Sequence, residues 1–414
     1  MTQRHLVGAR ILAQGLVGSA RCGSRAGRGA ESAATGGTAD AIGGVPDATS
    51  GTLAPVEVAR SFAAHQGQDL PGVIASLALR SGGAVEPVLA AFDRGEIVRG
   101  YPMRGTVFAV AADSLAWMTE LCVAGPLRAA IARRGALDLD ERRVERAREV
   151  LVAAAEPVSA PGVGRGLLRS EVMAVWEAAG IATGSGRGYH LIAELISFGD
   201  IAYGPWREQE TAVVHAPTWL PAGSDLEGAF GGDREAAAAE LALRYLTSHG
   251  PAGERDLAWW SKLPLGTVRP AIAQVAERLE SGFADRDGRL HARPEDARGG
   301  DGERLWFRPG LAEEYADAEK DTMKELLLPG FDELVLGYPD RLALIAEGHH
   351  PALAPGNNGV FKRAALRRGE IVGTWTRTGS AGKRRLVLGE LGSISDPQRR
   401  RFQTLFARFP YTAV

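Results

Sequence analysis

The sequence predicts an α+β protein built from three consecutive units of helices and a strand pair, followed by a small β-rich domain. Three observations predict this class. Segments with helical periodicity are followed three times by short strand-like runs rich in glycine. With 414 residues the chain is long enough for several domains. From about residue 326 the pattern changes to strand-like runs divided by glycine and proline.

The three units share one order of elements. In residues 51–125, three helices, the first at 56–65, precede the strand pair GEIVRGY and RGTVFAV. In residues 126–225, a charged helix and two more helices precede DIAYGP and ETAVVH, and in residues 226–325 three helices precede GRLHAR and ERLWFR. Helix, turn, helix and a two-stranded wing punctuated by glycine form the winged-helix pattern. We therefore expect three tandem winged-helix units.

The remaining segments flank these units. Residues 1–18 are predicted to form an N-terminal arm, ordered from residue 4. Residues 19–50 are rich in Gly, Ala, Ser and Thr without periodic apolar positions, which predicts a flexible insertion. Residues 326–414 are predicted to form a β-barrel-like domain that contains one late helix, at 397–406, and ends in a short strand.

Composition restricts the class of protein. No apolar run approaches the ~20 residues that a membrane helix needs, and the N-terminus lacks a signal-peptide pattern. The two cysteines, Cys22 and Cys122, offer neither a disulfide framework nor metal-ligand spacing. We therefore expect a cytoplasmic protein that has no contact with a membrane and no metal site.

Charge is unevenly distributed although the net charge is only −2. Residues 362–408 contain 12 lysines and arginines but only three acidic residues. Such a cluster can neutralise phosphates and release their counterions. Together with three predicted winged helices, it favours duplex DNA as the partner, although a solvated basic surface would give the same composition.

A polar triplet, Gln66-Gly67-Gln68, lies between the first two predicted helices. Side chains two residues apart on a helix point to different faces, so the two amides can converge only where the helix has ended. Pro71 disfavours helical backbone at Leu70, Gly67 permits a positive φ, and Asp69 is well placed to cap the helix that begins near Pro71. The triplet is therefore predicted to lie on a turn. Without further context, a polar turn between helices with a capping aspartate is the favoured interpretation of this segment.

Several blocks in collinear order resemble the bacterial winged-helix family that includes the AlkZ and YcaQ DNA glycosylases. They extend over the chain from about residue 5 to the end, apart from the 19–50 insertion. The blocks are AHQGQDLPG (64–72), MRGTVFAV (103–110), FGDIAYGPWREQETAVVHAPTWLP (198–221), RYLTSHGPAGERDLAWWSKL (244–263), LLPGFDELVLGYPDR (327–341) and GNNGVFKRAALRRGEIVGTW (356–375).

The resemblance implies three winged helices arranged as a C, a C-terminal β-barrel, and duplex DNA in the concave face. AlkZ-type members carry a Gln-x-Gln catalytic motif, which Gln66 and Gln68 match. This chain departs from the family at two positions. Gly67 replaces a residue that is usually aliphatic, and Phe108 replaces the histidine of an RGT-x-His pattern.

The chemistry of an alkylated purine explains how amides could suffice as catalytic groups. A purine alkylated at N7 or N3 is already cationic and leaves the deoxyribose readily, unlike the sugar oxygen that glycosidases must protonate. A Gln carbonyl can accept a hydrogen bond from water, and its NH₂ can donate to a sugar or phosphate oxygen. We assign catalysis to Gln66 and Gln68, with Asp69 as a possible auxiliary base.

Contacts with DNA are expected from predicted recognition helices and basic turns. N-terminal residues of recognition helices often reach DNA. The expected contacts are Arg104, Arg187, Tyr189, His190, Arg269, Lys362 and Arg363.

The sequence thus predicts a monomeric, monofunctional DNA glycosylase of base excision repair that needs no cofactor. Its substrates would be alkylated purines in duplex DNA, with bulky adducts or interstrand crosslinks as possible lesions. The alternative hypotheses are a non-catalytic winged-helix DNA-binding protein, such as a transcriptional regulator, and a family member that recognises lesions without excising them. The Asp332-Glu333 pair is interpreted as structural, because alternate strand residues face opposite sides.

Overall fold

The computed structural model describes residues 3–17, 53–357, 359–380 and 383–411. The predicted insertion at 19–50 lies outside these residues. The predicted N-terminal arm contains a helix, α1 (Arg4–Ala13), most of whose residues are buried. It packs against the helix at Leu311–Thr322, about 300 residues later in the chain.

The first unit begins with a helix shorter than predicted. Helix α2 (Pro55–Ser61) ends well before His65, and Ala63 takes a left-handed φ of 64°, which helical backbone does not allow. The chain then forms a two-residue strand where a turn between helices was expected. The elements of this unit are α2, β1 (His65–Gln66), α3 (Leu70–Arg80), α4 (Glu86–Asp93), β2 (Ile97–Gly100), β3 (Phe108–Ala111) and α5 (Ala112–Cys122).

In the second unit, capping residues explain where the helices begin and end. The side chain of Asp140 accepts a hydrogen bond from the backbone N–H of Arg143 at the start of α7, and Gly199 ends α9 with a φ of 83°. In the first unit, Gly95 likewise has a left-handed φ, of 75°, just after the end of α4. The elements are α6 (Ala124–Ala132), α7 (Glu141–Ala155), α8 (Arg169–Ala178), α9 (Arg187–Phe198), β4 (Ile201–Arg207) and β5 (Glu210–His215).

The third unit surrounds a largely buried helix, α12, whose alanines and leucines belong to a core shared with the first unit. Within this core, Phe108 of β3 contacts Trp260 of α13 edge-on, with ring centroids 6.5 Å apart. Helix α10 (Ala216–Trp219) follows β5 at the end of the second unit. The elements of the third unit are α11 (Leu226–Phe230), α12 (Arg234–His249), α13 (Glu254–Ser261), α14 (Leu265–Val275), β6 (Glu280–Ala284), β7 (Leu290–His291), β8 (Arg304–Phe307) and α15 (Leu311–Thr322).

Among the described residues, the C-terminal domain contains an open sheet, which does not confirm the expected β-barrel-like domain. Its four strands have the order β12-β11-β10-β9, and the two outer strands do not pair with each other. The predicted late helix is present as α18, but residues 408–411 form no strand. The elements are β9 (Leu326–Leu327), α16 (Glu333–Leu336), α17 (His350–Leu353), β10 (Ala364–Arg367), β11 (Glu370–Thr378), β12 (Arg385–Glu390) and α18 (Asp396–Ala407).

The strand pairs of the first two units are joined in one sheet. Its strand order is β1-β3-β2-β4-β5, and β2 pairs with β4 through Arg99 and Tyr203. The predicted third pair, GRLHAR with ERLWFR, does not form among the described residues. Strands β7 and β8 lie on opposite sides of β6 in a separate sheet, and β6 pairs with both. As a result, β1 forms one edge of a sheet that spans two units.

Among the described residues, no single helix is long and apolar enough to cross a membrane. Only the bent pair α5 and α6 passes that test together, by length and composition alone.

Candidate active site

The Gln66-Gly67-Gln68 triplet lies where β1 ends, beside β3. His65 pairs with Ala109 and Gln66 pairs with Phe108 in antiparallel register. The backbone of Gln66 is therefore extended, and alternate residues of extended backbone can face the same side. The Gln66 side-chain NH₂ donates to Gln68 Oε1 over 3.2 Å. The two amides converge as predicted, but a strand brings them together, whereas the prediction was a turn.

The two amides differ in exposure and in hydrogen bonding. Gln66 is only 4% exposed. Its Oε1 accepts from the Gly67 N–H over 2.9 Å, and its Nε2 also donates to Thr106 Oγ1 over 3.3 Å. Gln68 is exposed, and its NH₂ has no hydrogen-bond partner in the described part of the chain. Gln66 is therefore held in place, whereas Gln68 presents two donors and a free lone pair to solvent.

Gly67 approaches β3 closely and does not adopt a positive φ, so that expectation was wrong. A Cβ at Gly67 would lie 3.2 Å from the Ala109 nitrogen and 3.2 Å from the Phe108 carbonyl carbon. The Gly67 N–H also donates to the Val107 carbonyl over 2.8 Å. Glycine thus lets the triplet lie against the strand backbone.

Arg99 supports the triplet from inside the sheet and was missed by the sequence analysis. It is 8% exposed. Its Nη2 donates to the Gly67 carbonyl over 2.6 Å, its Nη1 donates to Thr211 Oγ1 over 2.8 Å, and its guanidinium lies over the Tyr203 ring. Burial lowers the pKa of Arg99, an effect that the neighbouring tyrosines and Asp69 oppose. An arginine inside an apolar strand, IVRG, was the available signal, since buried charge needs partners.

Glu333 supports Gln66 from the opposite direction. This carboxylate is 1% exposed. Its Oε1 accepts from the Gln66 backbone N–H over 2.6 Å, and its Oε2 accepts from Trp260 Nε1 over 3.2 Å. His249 Nε2 lies 3.4 Å from the same Oε2. Burial lowers the pKa of His249, so its ring is neutral at neutral pH and can donate a hydrogen bond from one nitrogen.

The adjacent Asp332 faces away from Gln66 and connects two domains. Its two oxygens accept from both terminal nitrogens of Arg80, each over 2.9 Å, and Oδ2 also accepts from Ser76 Oγ over 2.9 Å. Hence Asp332 joins α3 of the first unit to the C-terminal domain, while Glu333 reaches β1. Both carboxylates make structural contacts, as interpreted, but Asp332 is the N-cap of α16 and Glu333 begins that helix, so the expected strand was wrong.

Asp69 occupies the N-cap position of α3 as expected, but its side chain forms no capping hydrogen bond of good geometry. Its carboxylate lies among Gly72, Gly330 and Arg363. Burial raises the pKa of Asp69 above its usual value, against the opposing charge of Arg363 and the nearby Gly72 amide. A carboxylate of raised pKa beside Gln68 is a candidate proton acceptor.

Three of the predicted DNA-contacting residues lie around the triplet. Arg104 has a left-handed φ of 60° and stacks over Trp259 at 4.4 Å. Tyr189, 57% exposed at the start of α9, shares a hydrogen bond of 3.1 Å with the Tyr101 hydroxyl. Arg363 lies near Asp69 and over the Trp375 ring.

The other predicted contacts have different environments. Arg187 donates to the Leu137 carbonyl over 2.8 Å, and His190 is buried with its Nε2 3.3 Å from Glu194. Arg269 makes a bidentate ion pair with Glu254, whereas Lys362 is exposed near the start of β10. The structure does not bring these four side chains together with the triplet.

A separate wide cleft of about 730 Å³ lies in the third unit, and its lining includes Glu254, Arg269 and Trp306. Neither glutamine of the triplet lines this cleft. Within the described ranges, no group of three or more His, Cys, Asp or Glu side chains is placed to hold a metal ion.

Comparison with known proteins identifies the family. A family model described as "DNA glycosylase AlkZ-like" matches residues 59–410, which include the triplet, Arg99 and Glu333. None of the curated proteins compared with the chain matches it. The solved structure of Streptomyces sahachiroi DNA glycosylase AlkZ has the same fold, with a TM-score of 0.63 at 16% identity, over 99% of this chain and 96% of that one. Because the family model spans most of the sequence, the chain belongs to the AlkZ-like DNA glycosylase family.

Proposed function

We propose that this protein is a monofunctional DNA glycosylase that hydrolyses the N-glycosidic bond of alkylated purines in duplex DNA. The observation that carries the proposal is the asymmetry of the two amides. Gln66 is buried and hydrogen-bonded to Gly67, Thr106 and Gln68, whereas Gln68 is exposed with a free NH₂. A fixed amide that orients an exposed one is the arrangement that catalysis by positioning needs.

In the proposed reaction, the Gln68 carbonyl accepts a hydrogen bond from water and directs its oxygen towards C1′ of the deoxyribose. The bond between C1′ and the purine nitrogen breaks, and its electron pair neutralises the cationic base. The water oxygen bonds to C1′, and its proton passes to solvent or to Asp69. The products are a free base and an abasic site. General-base help is normally worth ~10²–10⁴-fold, but a base that leaves as a neutral molecule needs less of it.

Neutral amides suit this site because it is already crowded with charge. Arg99 and Glu333 are both buried within hydrogen-bond distance of the triplet backbone. A carboxylate in place of the Gln66 side chain would lie close to the Glu333 charge and would pay a desolvation cost. An amide supplies an acceptor and two donors without either penalty.

We further propose that the three strand pairs act as wings and the three units as tandem winged helices that hold the duplex. Pairing of β2 with β3, of β4 with β5, and of β6 with β8 supports this proposal. A monomer with three such units would need no second half-site, unlike a dimeric regulator. The role would be base excision repair, and interstrand crosslinks are included among the proposed substrates.

Base release from duplex DNA containing N7-methylguanine tests the proposal. The wild-type protein should release free base and leave abasic sites that break only on heating. Gln68→Ala and Gln66→Ala should lose most of this activity and still bind the duplex. The matched control is Gln403→Ala, since Gln403 is exposed on α18, outside the three units proposed to hold the duplex. A wild-type protein that binds DNA but releases no base from any alkylated or crosslinked duplex would contradict the proposal.

A further inference from the structure

Three cations surround one indole ring close to the triplet. Trp259 is partly buried on α13. The guanidinium carbon of Arg104 lies 4.4 Å from its ring centroid, that of Arg341 lies 5.5 Å away, and Lys262 Nζ also lies 5.5 Å away. The three come from separate segments, namely the loop between β2 and β3, the end of α13, and the segment after α16. We call this group the Trp259 cluster.

The cations of the Trp259 cluster lack acidic partners. In the described part of the chain, no carboxylate oxygen lies within 4.0 Å of any of the three. Within the described ranges, the cations of this cluster have two hydrogen-bond acceptors, both backbone carbonyls at long range: Leu336 at 3.5 Å from Arg104 and Pro339 at 3.4 Å from Arg341. Arg341 Nε is buried with no partner. An arginine carries five N–H donors, so most of the donors in this cluster are unused.

Burial and mutual repulsion both disfavour the three positive charges of the Trp259 cluster. Burial lowers the pKa of Arg104, Lys262 and Arg341, and the charge of Arg104 lowers the pKa of the other two further. Cation–π contacts with the indole offset only part of that cost. A bound anion would remove the repulsion and satisfy the unused donors.

The backbone of the Trp259 cluster is strained as well. Arg104 and Lys262 have left-handed φ values of 60° and 63°. Side-chain-bearing residues other than Asn and Asp seldom adopt this region, and such strain concentrates at functional sites. Arg104 and Lys262 each place a cation over the Trp259 ring.

The Trp259 cluster adjoins the triplet through two connections. Arg104 lies on the same loop as Thr106, whose hydroxyl accepts from Gln66 Nε2. Trp260, next to Trp259 in sequence, donates to Glu333, which holds the Gln66 N–H. The cluster is therefore linked through two short sets of contacts to the segment that carries Gln66 and Gln68.

We propose that Arg104, Lys262 and Arg341 bind a backbone phosphate of the DNA next to the nucleotide that faces Gln68. The ligand class is a phosphodiester, because the planar guanidinium fork matches phosphate oxygens and three clustered cations without an ion pair in the described part of the chain suit a polyanion. This inference rests on the proposed function, since it places the cluster on the same DNA strand as the reacting nucleotide. A phosphate held by the cluster would fix the position of the DNA strand along the active site.

The salt dependence of DNA binding tests the proposal. The affinity of an unmodified duplex is measured by fluorescence anisotropy over a range of salt concentrations for wild type, Arg341→Ala, Lys262→Ala and the double variant. Loss of this one phosphate contact in the double variant should make the slope of log K against log salt shallower by about 0.9–1, and each single variant should show part of that change. We expect affinity at low salt to fall by on the order of tenfold for Arg341→Ala.

The control removes an equal charge elsewhere. Arg146→Ala acts on an exposed arginine of α7 that lies 3.4 Å from Glu149, and it should leave the slope unchanged. Arg341→Lys keeps the charge and should retain most of the slope, and thermal melting shows whether each variant is folded. Folded alanine variants whose slopes equal that of wild type would overturn the proposal.

Unmodified DNA contains no lesion, so this experiment is separate from catalysis. Shallower slopes together with absent base release would refute the proposed function and support the phosphate site. Unchanged slopes together with normal base release would refute the phosphate site and leave the proposed function supported.

Discussion

Glu333 and Gln66, separated by 267 positions in the chain, meet in a hydrogen bond of 2.6 Å between a buried carboxylate and a backbone N–H. The bond connects the C-terminal domain to the edge strand that carries the triplet. The same carboxylate accepts from Trp260 of the third unit. Three parts of the chain therefore converge behind Gln66, and its position depends on their docking.

Glu333→Gln should damage both stability and activity. The substituted NH₂ would face at least one donor among Gln66 N–H, Trp260 Nε1 and His249, leaving a buried polar group unpaired. We expect a loss of about 1–3 kcal/mol in the free energy of unfolding. Base release should slow by on the order of tenfold if Gln66 shifts enough to cost ~1.4 kcal/mol in the transition state.

Chemical denaturation and single-turnover base release measure the two effects of Glu333→Gln. Glu313→Gln, on the exposed side of α15, is the control and should behave as wild type. If Glu333→Gln matched wild type in both assays, the carboxylate would have no role in positioning Gln66.

Gly67→Ala should disturb the triplet through contact, since the φ of Gly67 is not left-handed. The new methyl would lie 3.2 Å from two backbone atoms of β3, so β1 would have to move away by a few tenths of an ångström. Such overpacking typically costs about 1–3 kcal/mol. We expect reduced base release with the fold retained, and kcat/KM on an alkylated duplex measures it.

Gly125→Ala is the matched control for the glycine variant. Gly125 lies in α6 with nothing within 4 Å of the added methyl, so neither stability nor base release should fall. Activity of Gly67→Ala at or above the wild-type level would show instead that the triplet accepts the bulkier residue more usual in the family.

Arg99→Met should lower stability and loosen the triplet. The substitution leaves the Gly67 carbonyl and the Thr211 hydroxyl without their donor in a buried site. Each unsatisfied buried group costs about 1–3 kcal/mol, partly offset because a buried charge is also removed. Urea denaturation measures the change. Arg94→Met, which breaks only an exposed pair with Glu96, should change stability far less, and equal losses would contradict a special role for Arg99.

Asp69 should make both stability and rate depend on pH. Burial raises its pKa in the folded protein above 3.8, so the folded state favours the protonated form. The stability that protonated Asp69 contributes is fully present below pH 3.8 and is lost as pH rises through the raised pKa. Relative to Asp69→Asn, the wild type should therefore lose stability across that window.

The pH–rate profile tests the role of Asp69 as a proton acceptor. Base release should fall as pH drops through the raised pKa, and this acidic limb should disappear in Asp69→Asn. A profile of the same shape in both proteins would assign Asp69 to structure alone.

Local signals in the sequence determined where many elements begin and end. Pro71 and Asp69 mark the start of α3, Gly199 the end of α9, and Asp140 the start of α7. The strand pairs of the first two units were found because short strand-like runs rich in glycine follow the helical segments. Gln66 and Gln68 were likewise recognised from a short motif, whose position between two helices follows from neighbouring residues.

Only the tertiary structure decided what surrounds that motif. The hydrogen bonds of Glu333 to Gln66 and of Arg99 to Thr211 join residues more than 100 positions apart, and the same holds for the pairing of Arg99 with Tyr203 that merges two strand pairs. Whether the C-terminal sheet closes also depends on long-range pairing, which propensity does not encode. The sequence by itself determined which residues are candidates for the chemistry. The convergence of these residues depended on packing, because the groups that hydrogen-bond to Gln66, such as Glu333 and Thr106, come together only in the folded chain.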